Sequence, residues 1–140
     1  MAMKEVELFR ILRSDSSPEC HMYLREQDGG RVFPIIIHQN EMAELHRKVH
    51  GITMRRPMTH DLFAAFAAKS GFSLVSVEIT ELREEVFYAR MNYENEAGSS
   101  FSLDARPSDA VAIATAQSAQ LFAAELILDE IGVVEGESSK

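Results

Sequence analysis

The stretch Asp104-Ala105-Arg106-Pro107-Ser108-Asp109 decides how this chain folds. The residues before it, 100–103, alternate polar and apolar side chains, which is typical of a strand. The alanine-rich run from Ala110 to Ala116 after it is typical of a helix that packs closely on a neighbour. Pro107 suits the first helical position, because its missing N–H would have no partner there. The stretch therefore predicts a sharp strand-to-helix turn that carries three charged side chains: Asp104, Arg106 and Asp109.

A second stretch, Arg55-Arg56-Pro57-Met58-Thr59-His60-Asp61-Leu62, has the same plan. Thr59 is the predicted N-cap of a helix, which places His60 and Asp61 in its first turn. Unpaired N–H groups and the helix dipole favour a carboxylate in that turn. The chain thus offers two helix starts, each preceded by arginine and proline and each carrying an aspartate.

The composition is that of an ordinary globular protein. The chain has 140 residues, of which 46% are hydrophobic and 26% charged, so we expect one domain with a real core. Its apolar runs are shorter than the roughly 20 residues of a membrane helix, and its start lacks the apolar region of a signal peptide. The single cysteine, Cys20, excludes an intramolecular disulfide framework. We therefore expect a cytoplasmic protein without a membrane segment.

The net charge of −8 limits how this chain can meet nucleic acid. Proteins that simply coat nucleic acid carry a basic surface, and this chain does not. Contact with nucleic acid would need a local cluster, which Arg55, Arg56 and Arg106 could supply. The acidity otherwise suits solubility or metal binding by carboxylates.

The order of predicted elements indicates an α+β fold. Strands come first as a meander and helices are interleaved later, with hairpin turns at 28–30 and 84–85, so the sheet should be mixed and largely antiparallel with three to four helices. The continuous apolar run of the third strand, 31–37, predicts burial on both faces, and Pro34 predicts an edge or bulge position in it. Asn40 is the predicted N-cap of the first helix. We expect one compact domain over residues 1–132 and a solvated tail over residues 133–140.

The acidic side chains and His60 allow two interpretations. If the two helix starts meet, Asp61, Asp104 and Asp109, with Glu41 and His60 nearby, could hold Mg²⁺ or Mn²⁺ and promote phosphoryl chemistry. Alternatively, Asp61 and Asp109 only complement helix dipoles and Asp104 pairs with Arg106. His60 is either a general base or metal ligand, or a structural histidine.

The arginines are equally open to two interpretations. Arg106 could bind a phosphate through its planar guanidinium, or form an ion pair that fixes the strand-to-helix turn. Arg55 and Arg56 could grip a nucleic-acid backbone, or be a solvated face.

The two stretches together resemble the bifunctional nuclease family. The resemblance rests on Arg56-Pro57-Met58-Thr59-His60-Asp61-Leu62 and on Asp104-Ala105-Arg106-Pro107-Ser108-Asp109-Ala110, joined by Phe87-Tyr88-Ala89 and introduced by Pro34-Ile35-Ile36-Ile37. It covers about Lys4 to Gly132. The resemblance implies a compact α+β domain that self-associates, as a homodimer or a higher oligomer, and a nuclease activity on DNA and RNA. It assigns the active site to His60, Asp61, Asp104, Arg106 and Asp109.

Two functions follow as hypotheses. The first is a metal-assisted nuclease in which Asp61, Asp104 and Asp109 converge on an open cleft and Arg55 and Arg56 hold the substrate. The second is a non-catalytic binding or regulatory module, whose arginine and aspartate motifs are structural or form an oligomer interface.

Overall fold

The structure, a computed structural model, describes residues 2–134. Within that range it has eight strands and four helices, numbered here in chain order. The strands are β1 (Met3–Arg13), β2 (Glu19–Glu26), β3 (Arg31–His38), β4 (Ser73–Arg83), β5 (Val86–Glu94), β6 (Ser100–Ala105), β7 (Gln120–Ala124) and β8 (Val133–Val134). The helices are α1 (Gln39–Val49), α2 (Thr59–Lys69), α3 (Pro107–Gln117) and α4 (Glu125–Ile131).

All the strands belong to one mixed sheet with the order β6-β5-β4-β7-β1-β2-β3-β8. Every neighbouring pair is antiparallel except β4 and β7, which run parallel. Strand β7 therefore joins two meanders, one made from the first three strands and one from β4, β5 and β6. The predicted α+β fold with a largely antiparallel sheet is confirmed.

The sheet curls around helix α3. Phe33 on β3 and Phe87 on β5 stack with ring centroids 5.8 Å apart, although four strands lie between β3 and β5 in the sheet. Two strands so far apart in a flat sheet could not touch, so the sheet must bend until its ends approach each other. Helix α3 fills the inside of this bend, and its residues Pro107, Ser108 and 110–114 are all buried.

Helix α3 carries mostly small side chains, and for this reason it fits inside the curled sheet. Ala110, Ala112 and Ala114 are at most 1% exposed, and Val111 and Ile113 fill the remaining space between the helix and the strands. Helices α1 and α2 pack on α3 from the side that the sheet leaves open. The N-termini of α1, α2 and α3 meet there, at the same end of the domain.

The third strand is buried on one face only, so the prediction of burial on both faces is wrong. Phe33, Ile35 and Ile37 are buried, whereas Pro34 and Ile36 are exposed, and Ile36 is 55% exposed. The alternation of buried and exposed residues is not visible in the sequence, because both kinds of position carry apolar side chains. The edge position predicted for Pro34 is confirmed, because β8 pairs only with Arg31 and Val32 and leaves the rest of β3 open on that side.

Two predicted helix caps are also wrong, each by a short distance along the chain. Helix α1 is capped by His38 rather than by Asn40, and helix α2 by Met58 rather than by Thr59. In both helices the acid at the third position accepts a hydrogen bond from the backbone N–H of the cap residue. This reciprocal contact replaces the side-chain cap of Asn or Thr.

The folded part extends slightly beyond the predicted boundary at residue 132. Val133 and Val134 pair with β3, although they were assigned to the solvated tail. Residues 135–140 lie outside the described range, so a solvated tail there stays a prediction.

Among residues 2–134, no helix combines the length and the apolar character that crossing a bilayer requires.

Enlarging a small residue of α3 should destabilise the fold. For Ala114→Leu we expect a loss of about 1–3 kcal/mol in the free energy of unfolding, because extra methylene groups have no space between α3 and the strands. Urea titration followed by circular dichroism measures this. Ala65→Leu, the same change at an exposed position of α2, is the control and should leave stability nearly unchanged. Equal effects of the two changes would contradict the enclosed position of α3.

Candidate active site

The candidate site lies where the N-termini of α1, α2 and α3 meet. Each helix places an acid in its first turn: Glu41, Asp61 and Asp109. Glu41 accepts the His38 N–H at 2.8 Å and Asp61 accepts the Met58 N–H at 2.9 Å, so each caps its own helix. The capping contacts fix these carboxylates in place and leave their second oxygens for other partners.

Arg106 and His60 both bind Asp109. The guanidinium donates from Nε to Asp109 Oδ2 at 2.8 Å and from Nη2 to Oδ1 at 3.0 Å. His60 Nε2 lies 2.7 Å from Asp109 Oδ1. Arg106 Nη1 also lies 3.2 Å from Glu41 Oε2, which accepts a hydrogen bond from the Ser108 hydroxyl. The predicted residues His60, Arg106 and Asp109 therefore form one connected group.

Sequence analysis did not single out Glu44, the buried centre of this network. Its side chain is 8% exposed, and its Oε2 lies 3.2 Å from His60 Nδ1. Neither of these two atoms has a well-directed hydrogen bond within residues 2–134. Arg47 donates to Glu44 Oε1, and Lys48 Nζ lies 3.4 Å from Oε2. The spacing of Glu44 with Arg47 and Lys48, three and four residues apart on a helix, was the signal available in the sequence.

Lys48 links Glu44 to Asp61. Its ammonium group contacts both carboxylates, and its side chain is 13% exposed. Asp61 is thus tied to α1 through Lys48 and to the start of α2 through Met58. The network joins all three helix starts through charge-assisted hydrogen bonds, which are about twice as strong as neutral ones.

The partners keep the three acids of this network ionised. Burial raises the pKa of Glu44, but the hydrogen bonds from Arg47, the close contact with the His60 ring and the charge of Lys48 outweigh it and leave the pKa below its ordinary value. Burial likewise raises the pKa of Asp109, and Arg106 and His60 bring it below its ordinary value. Hydrogen bonds from Lys48 and the Met58 N–H lower the pKa of Asp61.

Three clefts meet at Arg106. The first, of about 660 Å³, has His60, Asp104 and Asp109 on its polar side and residues such as Phe63 and Met91 on its apolar side. The second, of about 490 Å³, runs along the open edge of β3. The third, of about 510 Å³, lies against α1 and the start of α2. Arg106 lines all three, and its side chain is 66% exposed.

The remaining predicted residues lie outside the hydrogen-bonded group. Asp104 lines the first cleft but is exposed, and within residues 2–134 its side chain has no hydrogen bond or ion pair, so the predicted pairing with Arg106 is wrong. Arg55 and Arg56 are exposed in the loop between α1 and α2, and neither lines one of the three clefts.

The carboxylates do not form a ready metal site. Among residues 2–134, no group of three or more His, Cys, Asp or Glu side chains is placed to hold a metal ion. Asp61 and Asp109 instead have cationic partners, namely Lys48 for the first and Arg106 for the second. In this arrangement the two carboxylates accept hydrogen bonds from cationic side chains, and the predicted metal ion stays a prediction.

Acid should destabilise the domain through this network. Because the pKa values of Glu44, Asp61 and Asp109 are lowered in the folded state, their stabilisation is complete above their ordinary pKa values and is lost as the pH falls through the folded ones. We expect the free energy of unfolding to fall between about pH 5 and pH 2. Urea titrations across this range measure it.

The variant Glu44→Gln separates this network from the other carboxylates. The variant should lose on the order of 1–3 kcal/mol of its free energy of unfolding at neutral pH, since Arg47 and Lys48 lose a charged acceptor. As the pH falls, its free energy of unfolding should decrease less steeply than that of the unaltered protein. Asp15→Asn removes an exposed charge outside the network and is the control. If the decline were equally steep with and without Glu44, the network would not be the cause.

Comparisons with known proteins identify the family to which this chain belongs. The bifunctional nuclease domain family matches residues 22–136. An uncharacterised protein of Mycobacterium tuberculosis is 34% identical over 132 residues, which is 94% of this chain and 78% of the relative. Bifunctional nuclease 1 of Oryza sativa is 31% identical over 110 residues, which is 75% of this chain and 33% of the rice protein. Bifunctional nuclease 1 of Arabidopsis thaliana is 27% identical over 103 residues, which is 71% of this chain and 32% of that protein. The chain belongs to the bifunctional nuclease domain family.

Proposed function

We propose that this chain is a nuclease that hydrolyses phosphodiester bonds of DNA or RNA at the first cleft. One observation carries the proposal: an exposed guanidinium, Arg106, is held by a carboxylate, Asp109, at the mouth of an apolar cleft. Arginine binds phosphate through paired N–H donors, the same geometry it uses here on Asp109. A substrate phosphate can therefore take the place of the carboxylate.

This exchange supplies a base. When Arg106 moves to a phosphate oxygen, Asp109 loses the cation that lowers its pKa and becomes a better proton acceptor. Asp109 then takes a proton from the attacking water or ribose hydroxyl, whose oxygen forms a new bond to phosphorus. The bond from phosphorus to the leaving oxygen breaks, and that oxygen takes a proton from solvent. Arg106 offsets the negative charge on the phosphoryl oxygens during this step.

His60 positions Asp109 in this scheme. Its Nε2 holds Asp109 Oδ1, and its Nδ1 faces Glu44, so both ring nitrogens are directed at carboxylates. Because both ring nitrogens face carboxylates of the protein, neither is directed at a substrate in the cleft. We therefore assign His60 to orientation of the base and Asp109 to proton transfer.

Asp61, Asp104 and a metal ion have no step in this scheme. Asp61 is tied to Lys48, and Asp104 stands alone on the cleft wall, where it could contact a substrate or share a cation supplied with it. Arg55 and Arg56 remain candidates for contact with a longer substrate, because both are exposed. Metal assistance is decided by the assay below and not by the contacts in the site.

A non-catalytic binding module is the second candidate function. The observation that favours it is the extent of internal pairing, since Asp61, Asp109 and Arg106 each have a charged partner within the protein. In that case the network locks the three helix starts together, and the clefts bind a ligand without reaction.

Cleavage should depend on Arg106 and Asp109. We expect Arg106→Gln and Asp109→Asn to lower the rate of cleavage of labelled single-stranded RNA and DNA by about 10²–10³-fold, a size typical of losing one group that stabilises the transition state or transfers a proton. Arg13→Gln, the same change at an exposed site on β1, should keep full activity. Parallel reactions with Mg²⁺, Mn²⁺ or EDTA test the predicted metal.

The possible outcomes separate the two functions. Equal cleavage by all variants would place the activity outside this site. Binding of nucleic acid without cleavage, by protein shown to be folded, would support the binding module.

We also infer that the chain self-associates through helix α2, on the support of its apolar outer face. Leu62 and Phe66 lie one turn apart and are 65% and 71% exposed, and no residue of α2 is buried. Exposed apolar side chains grouped in this way are typical of protein interfaces.

Replacing these side chains should yield a monomer. We expect Leu62→Glu/Phe66→Glu to shift the sedimentation coefficient of the protein to the monomer value at all concentrations tested, because carboxylates cannot be buried in an apolar interface without a large cost. Leu126→Glu, on the 73%-exposed Leu126 of α4, should not change the association state. An unchanged oligomer in the double variant would exclude α2 as the interface.

A further inference from the structure

We propose that the site recognises a dinucleotide unit, with one phosphate at Arg106 and one nucleobase in each of the two apolar clefts beside it. The inference rests on the proposed function and names its substrate class: a dinucleotide, or the two nucleotides at the end of a single strand. It is carried by the way the first and second clefts join.

The first and second clefts adjoin each other beside the tip of the β4–β5 hairpin. Val86, Phe87 and Arg106 line both of them. Val86 is 51% exposed, and the Phe87 ring is fixed from behind by its stacking on Phe33. A ligand can therefore pass over these three residues with one part in each cleft, and its middle then lies at the guanidinium.

Both clefts have the size and the walls that a nucleoside needs. Their volumes, about 660 and 490 Å³, lie within the range of roughly 300–1,000 Å³ typical of small-molecule sites. The first has Phe63, Met91 and Leu103 among its apolar walls, and the second has Ile36, Leu82 and Ile131. Apolar and aromatic walls of this kind bind nucleobases by stacking and burial, with little dependence on sequence.

The charge of the site limits the ligand to one or two phosphates. Among residues 2–134, Arg106 is the only lysine or arginine that lines these two clefts, whereas Glu41, Glu85, Asp104 and Asp109 supply four carboxylates. A long strand would bring many phosphates toward an acidic surface on a chain of net charge −8. A dinucleotide brings one phosphodiester to the one guanidinium and gains the rest of its affinity from the two bases.

A duplex does not fit this arrangement. Bases that are paired and stacked cannot enter two separate clefts unless they are first unstacked, which costs a few kcal/mol. The ends of single strands and free dinucleotides need no such step.

The hairpin tip between the clefts has a backbone that is unfavourable for its residues. Glu84 and Glu85 have φ values of 51° and 65°, in the left-handed region where a non-glycine residue costs roughly 1–2 kcal/mol. Glycine or asparagine would close this turn at lower cost. Strain of this kind is found where a particular shape is used for binding, and here it sets the position of Val86 between the two clefts.

Binding of a dinucleoside monophosphate by isothermal titration calorimetry tests the proposal. The probes are ApA with a phosphorothioate linkage that slows hydrolysis, an octanucleotide single strand with the same linkage, and a duplex of that octanucleotide. We expect ApA and the octanucleotide to bind with the same affinity per dinucleotide position. The duplex should bind at least about tenfold more weakly, because unstacking its bases costs about 1.4 kcal/mol or more. The slope of log K against log salt should be about −0.7 for both single strands, the value for one phosphate contact.

A matched pair of variants locates the binding site. Val86→Asp places a carboxylate where the two clefts join and should weaken ApA binding by at least about tenfold. Val75→Asp makes the same change at a comparably exposed valine of β4 that lines neither cleft and should bind ApA as the unaltered protein does.

Three other outcomes would overturn the inference, and a fourth would reject only the proposed nuclease. Affinity that rises steeply with strand length, together with a slope of −2 or steeper, would show a phosphate-tracking surface. Equal binding by Val86→Asp and Val75→Asp would place the ligand elsewhere. Arg106-dependent cleavage of long strands without binding of ApA would reject the dinucleotide site and keep the nuclease, whereas ApA binding without any cleavage would keep the site and reject the nuclease.

Discussion

The enclosure of helix α3 by a curled sheet is the constraint on which the rest of the molecule depends. A helix with bulky side chains would hold the sheet open, but α3 presents alanine in nearly every direction, so strands and helices approach it closely. The close approach brings the two ends of the sheet together at Phe33 and Phe87. It also fixes the N-terminus of α3 at the place where those ends and the starts of α1 and α2 meet. The site is therefore a result of how the core is packed.

Each acid at this point has a cationic side chain or an imidazole as its partner. Four acids, Glu41, Glu44, Asp61 and Asp109, face Arg47, Lys48, Arg106 and His60. The buried pairs around Glu44 hold the three helices in register, whereas Arg106 stays mostly exposed and its contacts are open to competition from solvent or a ligand. A buried ion pair is costly to break because it leaves an unpaired charge behind, but an exposed one exchanges partners cheaply. The buried ion pairs of the network therefore stay in place, whereas the contacts of Arg106 can exchange for a ligand.

Local patterns in the sequence predicted much of the fold. Pro107 at the start of a helix and the edge position of Pro34 follow from the backbone preferences of proline. The hairpin turn at Glu84 and Glu85 follows from the charged break between two strand-like segments. The alternation of β3 could not be predicted, because isoleucine on its exposed face is indistinguishable in sequence from isoleucine in the core. The caps of α1 and α2 were misplaced for a related reason. Glutamate and aspartate at the third helical position do the capping there, and the cap residues, His38 and Met58, are not among those that usually cap helices.

The site was only partly predictable because it is built from long-range contacts. The sequence places Arg106 and Asp109 together, since they are three residues apart on one helix. The contact of His60 with Asp109 joins residues 49 positions apart, and no local pattern gives it. Glu44 was overlooked because an acid followed by Arg and Lys on a helix is usually a solvated face. Asp104 and Asp109 both line the first cleft, but only Asp109 is held by Arg106 and His60.

The parallel pairing of β4 with β7 has a consequence for how the chain folds during synthesis. Each antiparallel meander is made of consecutive strands and can form as soon as its residues have left the ribosome. The two meanders have no common partner until residues 120–124 appear, and only then can β7 insert between β1 and β4. Helix α3 is made just before β7, so its alanine-rich surface is not enclosed until this last joining step. The nascent chain therefore carries the unpaired edges of β1 and β4 until β7 has been synthesised, and the two meanders then become one continuous sheet.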